Sequence, residues 1–151
     1  MSETLMKDMK VIVFELTDKE YAIPVNNVKS IEKLEHITRV PHTFPFVEGV
    51  INLRGVVTPI IDLRKRFDLL PKDYDDSTRV IIVSEGENEV GLIVDAANDV
   101  IDLPAESIEP PPEIVGSISA DFIQGVAKLE RRLLILIELE SILGQGENWQ
   151  E

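Results

Sequence analysis

Short β-branched runs separated by polar turns set the rhythm of the chain. VIVFEL, from Val11 to Leu16, leads through TDKE to YAIPV, and VIIVSE leads through GENE to VGLIVD. Such runs bounded by turn residues predict two hairpins, with Gly86 and Asn88 supplying the turn chemistry of the second. Each is followed by a bent segment and a further hairpin. The strands of that hairpin are GVINL and VVTPII in one place and GVAKL and RLLILIEL in the other. Pro59 inside VVTPII predicts an edge position or a bulge. A short helix is predicted after each second hairpin. In DLRKRF, Asp62 is placed as the N-cap, and Leu63 and Phe67 share a face at i,i+4. ELESIL repeats the pattern with Leu139, Ile142 and Leu143.

The two series are copies. Phe46 aligns with Phe122 at an offset of 76, which brings Gly49 onto Gly125, Val50 onto Val126, Leu53 onto Leu129 and Asp62 onto Glu138. The earlier strands align at an offset of 69, Val11 to Phe14 over Val80 to Val83 and Glu20 to Ile23 over Glu89 to Leu92. The difference of seven places an insertion in the second copy, around Pro110, Pro111 and Pro112. The halves run from about residue 10 to 75 and from 76 to 144, flanked by a flexible N-terminus (1–9) and a disordered tail (145–151). About five short strands and a terminal helix per half suggest a small barrel, and a unit of that size buries only about 60% of its unfolded surface. Two such units are expected to pack face to face around a shared core, with a binding groove along the join.

The repeat also separates fold from function. Residues needed only for folding should be alike in both copies, as the glycines and apolar positions are. Arg54 and Gly55 are not, because their counterparts are Glu130 and Arg131. Gly55 reads as a turn residue with positive φ. Arg54 reads either as a solvated turn charge or as a fork for a carboxylate, within the fold or on a partner.

Composition narrows the function classes. With 44% hydrophobic residues the chain can build a core, and its longest apolar runs fall far short of the roughly 20 residues of a membrane span. No continuous apolar stretch of signal-peptide type opens the chain. There is no Cys, which excludes disulfides and thiol chemistry and fits a cytoplasmic protein. The net charge of -13 is uneven: residues 1–75 hold 12 acids and 11 bases, residues 76–151 hold 16 acids and 4 bases. An acidic second half repels phosphate backbones and, with 5% aromatics, argues against nucleic acid. It reads as a solubilising surface or as one that steers a basic partner.

Reaction centres are hard to find. His36 and His42 lack convergent acids for a metal site. Ser84, Ser107, Ser117, Ser119 and Ser141 stand in no G-x-S-x-G context. The GQG at 144–146 has no strand–turn–helix around it. Arg64, Lys65 and Arg66 form a basic run that reads as a solvated helix face. Trp149 lies in a polar tail. The chain offers surfaces rather than catalytic residues, with no cofactor and no metal expected.

Five stretches, VIVFELTDKEYAIPVNNVKSIE, FVEGVINLRG, TPIIDLRKRF, EVGLIVDAANDVIDLP and FIQGVAKLERRLLILIELESIL, cover nearly the whole chain. In content and order they resemble the CheW family, the coupling proteins of bacterial chemotaxis. The resemblance implies a mainly β fold of two intertwined SH3-like five-stranded barrels with short helices. It implies a non-enzymatic cytoplasmic adaptor, a monomer when isolated, recruited to membrane receptor arrays without inserting in the membrane. It bridges the cytoplasmic tip of a chemoreceptor and the regulatory domain of the chemotaxis histidine kinase, with the receptor's helical hairpin in the groove between the halves. Receptor contacts are then expected from Val28, Ser30, Ile31, Val94, Ala97 and Val100, with ordinary core packing as the alternative for the apolar ones, and from Arg54. Ser30 stands where many family members have an acid, so Arg54 is left to pair with Glu32, Glu48 or a receptor carboxylate. Kinase contacts are expected at the two hairpins, through Gly49, Asn52, Gly55, Gly125 and Leu129, because edge hairpins are natural pairing surfaces. The alternative is the stand-alone regulatory module of a kinase.

Overall fold

The computed structural model describes residues 8–41, 44–111, 114–115 and 118–143. Expectations placed on the first seven residues, His42, Pro112, Ser117, the GQG segment, Trp149 and the tail lie outside the described residues. The first half contributes β1 (Met9–Leu16), β2 (Lys19–Pro24), β3 (Val28–Lys33), β4 (Val47–Leu53), β5 (Val56–Asp62) and a single turn of helix, α1 (Leu63–Arg66). The second contributes β6 (Arg79–Glu85), β7 (Asn88–Val94), β8 (Ala96–Leu103), β9 (Ile108–Glu109), β12 (Ile123–Leu129), β13 (Arg132–Ile137) and α2 (Leu139–Ile142). A two-stranded ribbon of β10 (Ile114–Val115) and β11 (Ile118–Ser119) follows the proline run.

The strands do not sort by half. One sheet has the order β8-β1-β2-β13-β12-β9 and the other β3-β6-β7-β5-β4. Each therefore takes the first hairpin of one half together with strands of the other, four in the first sheet and three in the second. The reading of one barrel per half is corrected by this exchange, while the intertwined, SH3-like arrangement implied by the family resemblance is what the chain adopts. The repeat maps one sheet onto the other, register included. β2 runs parallel to β13 with Ala22 opposite Leu136, and β7 runs parallel to β5 with Gly91 opposite Ile60. Irregularities recur at equivalent places: the β1–β8 register shifts at Val13/Phe14, and the β3–β6 register at Val28/Ser30.

Alternation within β1 explains why the fold needs both sheets. Its odd residues Val11 and Val13 enter a cluster with Ala22, Leu103, Ala127, Leu134 and Leu136, the interior of one barrel. Its even residues Ile12, Phe14 and Leu16 enter a larger cluster fed by both sheets and both helices. The second barrel interior gathers Ile51, Ile60, Val80, Ile82 and Ile93. Successive side chains of a strand face opposite ways, so β1 and β6 are buried on both faces, one toward a barrel and one toward the seam. Neither barrel can cover the seam face alone, and burying it at roughly 25 cal/mol per Å² is what joins the halves.

Two details fix the second hairpin of the first half. A Cβ on Gly49 would come within 2.1 Å of the Thr38 carbonyl oxygen, and Gly49 has φ +148°. Pro59 is tolerated because its cross-strand neighbour Val50 turns its own N–H and C=O outward to Thr38, at 2.8 and 2.9 Å. Pairing of β5 with β7 begins only at Ile60, so no ladder bond misses the proline N–H.

Candidate functional site

β3 and β8 are equivalent in the repeat, and each ends its sheet. Ile31 lies directly across from Ile81, and Val100 across from Ile12, both of which belong to the shared core. Directly opposed residues share a face. Ile31 and Val100 therefore extend the seam face to its rims, where they are 41% and 54% exposed. Of the other positions expected to meet a receptor, Val28 packs partly buried on the shared core, and Ser30 and Ala97 are half-buried. Val94 is 1% exposed and belongs to the core.

Arg54 and Gly55 form the two-residue turn between β4 and β5, with φ +52° and +85°. The Gly55 N–H donates to Asn52 Oδ1 at 2.9 Å, which closes the turn. In the other half Glu130 and Arg131 connect β12 and β13 without either residue taking a positive φ. The LRG sequence thus encodes a left-handed turn that the second copy does not make. Arg54 Nη2 lies 3.5 Å from Glu32 Oε2, and its side chain remains 73% exposed. The acid thus stands two residues beyond Ser30 on β3. Glu48 is engaged elsewhere, accepting from Lys65 Nζ at 2.6 Å.

The five hairpin positions expected to touch the kinase have local tasks. Gly49 and Gly125 admit a crossing backbone, since a Cβ on Gly125 would meet the Glu109 carbonyl oxygen at 2.7 Å. Asn52 and Gly55 shape the turn, and Leu129 packs partly buried on one barrel interior. What these hairpins present to solvent is Val56 (54%), Val57 (64%) and Leu133 (49%). Val57 and Leu133 are equivalent in the repeat, a correspondence readable from the offset of 76 and not exploited there.

The basic run on α1 is not a solvated face. Arg64 is 8% exposed and clamps Asp95 with both prongs, Nε to Oδ1 at 2.9 Å and Nη2 to Oδ2 at 2.6 Å. Its third nitrogen donates to the Leu70 carbonyl at 2.7 Å. Asp95 also accepts the Thr17 N–H at 2.8 Å, holding a β-branched residue at φ +59°. Burial would raise the Asp95 carboxyl, but Arg64 and the Thr17 N–H hold it below its ordinary value. Arg66 lies 4.4 Å from the Phe46 ring centroid and 5.0 Å from that of Phe122, the equivalent ring of the other half. It donates to the carbonyls of Ile142 and Ser141 at the end of α2. Only Lys65 points outward. The two arginines are struts across the seam, missed because a charge run on a helix ordinarily faces water. Their unlike counterparts, Glu140 and Ile142, were the available signal.

Beside α1, a cleft of about 430 Å³ is lined by Asp62, Lys65, Pro71, Lys72, Asp73 and Tyr74. The Tyr74 hydroxyl donates to Asp62 Oδ2 at 2.8 Å, and burial together with that bond raises its pKa. The same carboxylate caps α1, so the group is engaged in structure. Among the described residues no group of three or more His, Cys, Asp or Glu side chains is placed to hold a metal. No helix among them is long and apolar enough to cross a membrane.

The family model for the CheW-like domain matches residues 10–147. The chain is 51% identical over 134 residues to the chemotaxis protein CheW of Bacillus subtilis, covering 89% of this chain and 86% of that protein. It is 39% identical over 136 residues to the CheW of Klebsiella aerogenes, covering 90% and 82%. Its fold matches the crystal structure of the scaffolding protein TtCheW from Thermoanaerobacter tengcongensis with a TM-score of 0.87 and 36% identity, over 95% of this chain and 94% of that one. With the exchanged barrels, the exposed rims and these likenesses together, the chain belongs to the CheW family of chemotaxis scaffold proteins.

Proposed function

We propose that the protein couples chemoreceptors to the chemotaxis histidine kinase by holding both at once on separate surfaces of one rigid body. The receptor's cytoplasmic tip docks at the seam, on the rims formed by β3 and β8. The kinase regulatory domain docks at the hairpin tips, through Val56 and Val57 at one end and Leu133 at the other. The observation that carries this reading is the placement of exposed apolar residues. Ile31 and Val100, and likewise Val57 and Leu133, occupy equivalent positions of the two halves, on sheet rims and hairpin tips, where core packing does not require them. Arg54, largely exposed and only loosely paired with Glu32, is available to a receptor carboxylate, and an arginine fork is suited to that pairing. The protein works in the cytoplasm and reaches the membrane through its receptor. A coupling energy of about 1–3 kcal/mol between the two surfaces is enough to pass a signal.

Pull-downs with a receptor-tip fragment and, separately, with the kinase regulatory domain test the assignment. Ile31→Glu is expected to lose the tip and keep the kinase domain, and Val57→Glu the reverse. Arg54→Glu is expected to keep its circular dichroism spectrum and bind the tip about tenfold more weakly, a change of roughly 1.4 kcal/mol. Capture of neither partner by the wild type, or equal loss of both partners by folded Ile31→Glu and Val57→Glu, overturns the reading.

A further inference from the structure

The two rims of the seam present near-identical apolar footholds. Two residues beyond each foothold, on the same face, stand Lys33 and Asp102, which are equivalent in the repeat and opposite in charge. Their cross-strand neighbours are also equivalent but alike in charge: Arg79 faces Lys33, and Lys10 faces Asp102. On the β8 rim Lys10 and Asp102 form an exposed ion pair at 3.1 Å, so that rim is close to neutral. On the β3 rim Lys33 and Arg79 are both cations. Arg79 turns its Nη1 to the backbone carbonyls of Asp76 and Thr78. This sign change leaves the facing pair on the first rim with two positive charges and the pair on the second with none in excess.

A site with two quasi-equivalent footholds has an ambiguity built into it. An elongated helical occupant can be turned about the pseudo-twofold axis and still set apolar residues against Ile31 and Val100. Apolar contact is non-directional and does not choose between the two placements. Charge does, because complementary charges across an interface fix register and orientation more than they add affinity. Resting on the receptor reading above, we propose that Lys33 is the orientation-determining residue of the seam. It directs the acidic flank of the receptor hairpin to the β3 rim and disfavours the turned placement. The partner chemistry this requires is an apolar helical stripe flanked by carboxylates on the side that meets β3. Replacing Lys33 by Asp makes the two facing pairs alike, each an acid across from a base, and removes their part in the choice.

The test uses the full-length chain with methyl-labelled Ile and Val and a receptor-tip fragment carrying one nitroxide on one helix of its hairpin. Wild type is expected to show unequal broadening of the Ile31 and Val100 methyl signals. The ratio should be about two- to fivefold, the scale of one or two exposed ion pairs. It should shrink as salt is raised through 1 M, where the screening length is about 3 Å. Lys33→Asp is expected to bring the ratio close to one while both signals still respond to the tip. Equal broadening in the wild type, or an unchanged ratio in Lys33→Asp, overturns the orientation role and leaves the docking site in place. Absence of any response at either methyl sinks the receptor reading, and the orientation role with it.

Discussion

The two helical turns, α1 and α2, close equivalent hairpins and bury equivalent residues, yet they are held differently. In α1 the Asp62 side chain accepts from the N–H groups of Arg64 and Lys65, whereas Glu138 makes no capping bond in α2. From α1 come Arg64, clamped on Asp95 of the other half, and Arg66, seated between Phe46 and Phe122. The matching positions in α2 are Glu140 and Ile142. Apolar positions survived duplication in both copies because both barrels and the seam need them. Polar struts are needed once, since one buried clamp already fixes how the halves sit. Asymmetry inside a symmetric body therefore marks either a unique strut or a unique surface. Burial tells the two apart: Arg64 is 8% exposed, while the Arg54 side chain is 73% exposed.

The largest test of that contrast is Arg64→Met beside Glu140→Met. Losing Arg64 leaves the half-buried Asp95 without its guanidinium partner, a change expected to cost about 3 kcal/mol, whereas the α2 substitution should stay within about 0.5 kcal/mol. Urea unfolding measures both. The pH dependence adds a signature. A carboxylate with a depressed folded pKa contributes stability that is present above its ordinary value, near 4, and is lost as pH falls through the lower folded value. That acid-side loss should shrink in Arg64→Met.

Next in size are the close-approach glycines. Gly49→Ala combines a 2.1 Å contact with a positive φ, and Gly125→Ala a 2.7 Å contact without one. The first is expected to destabilise by about 2 kcal/mol or more and the second by less. Equal losses would show that the backbone angle contributes nothing. Asp62→Ala is expected to cost about 1 kcal/mol through the lost cap, and Glu138→Ala close to none. The smallest effect concerns Tyr21, whose counterpart is Val90. Its hydroxyl is buried with no hydrogen-bond partner among the described residues, and burial pushes its pKa from 10.0 up to about 12. A group raised in the folded state contributes stability present below its unfolded pKa and lost as pH climbs through the folded value. Tyr21→Phe should therefore be neutral or slightly stabilising at pH 7 and should flatten the loss between about pH 10 and 12.

Most strands, both helical turns and the Asp62 cap were legible because each rests on local pattern. The exchange of strands was not legible from the residues alone. β2 meets the same apolar pattern on β5 and on β13, and β3 meets it on β1 and β6, so local propensity is identical for the swapped and unswapped forms. The bend between β2 and β3 decides, and it carries no distinctive signal in Val25–Asn27. Arg64 and Asp95 were invisible for a related reason. A part-buried ion pair between residues 31 positions apart leaves no mark on the periodicity of either segment. Conversely, Arg54 stood out only because a second copy existed to compare it with.

The central claim is that one fused body offers two surfaces that can be occupied together. Calorimetric titration of a receptor-tip fragment into protein already saturated with the kinase regulatory domain measures this directly. The account predicts stoichiometric binding of the tip, with an affinity within about 150-fold of that for the free protein. Displacement of the kinase domain by the tip, or no heat of binding at all, would contradict it.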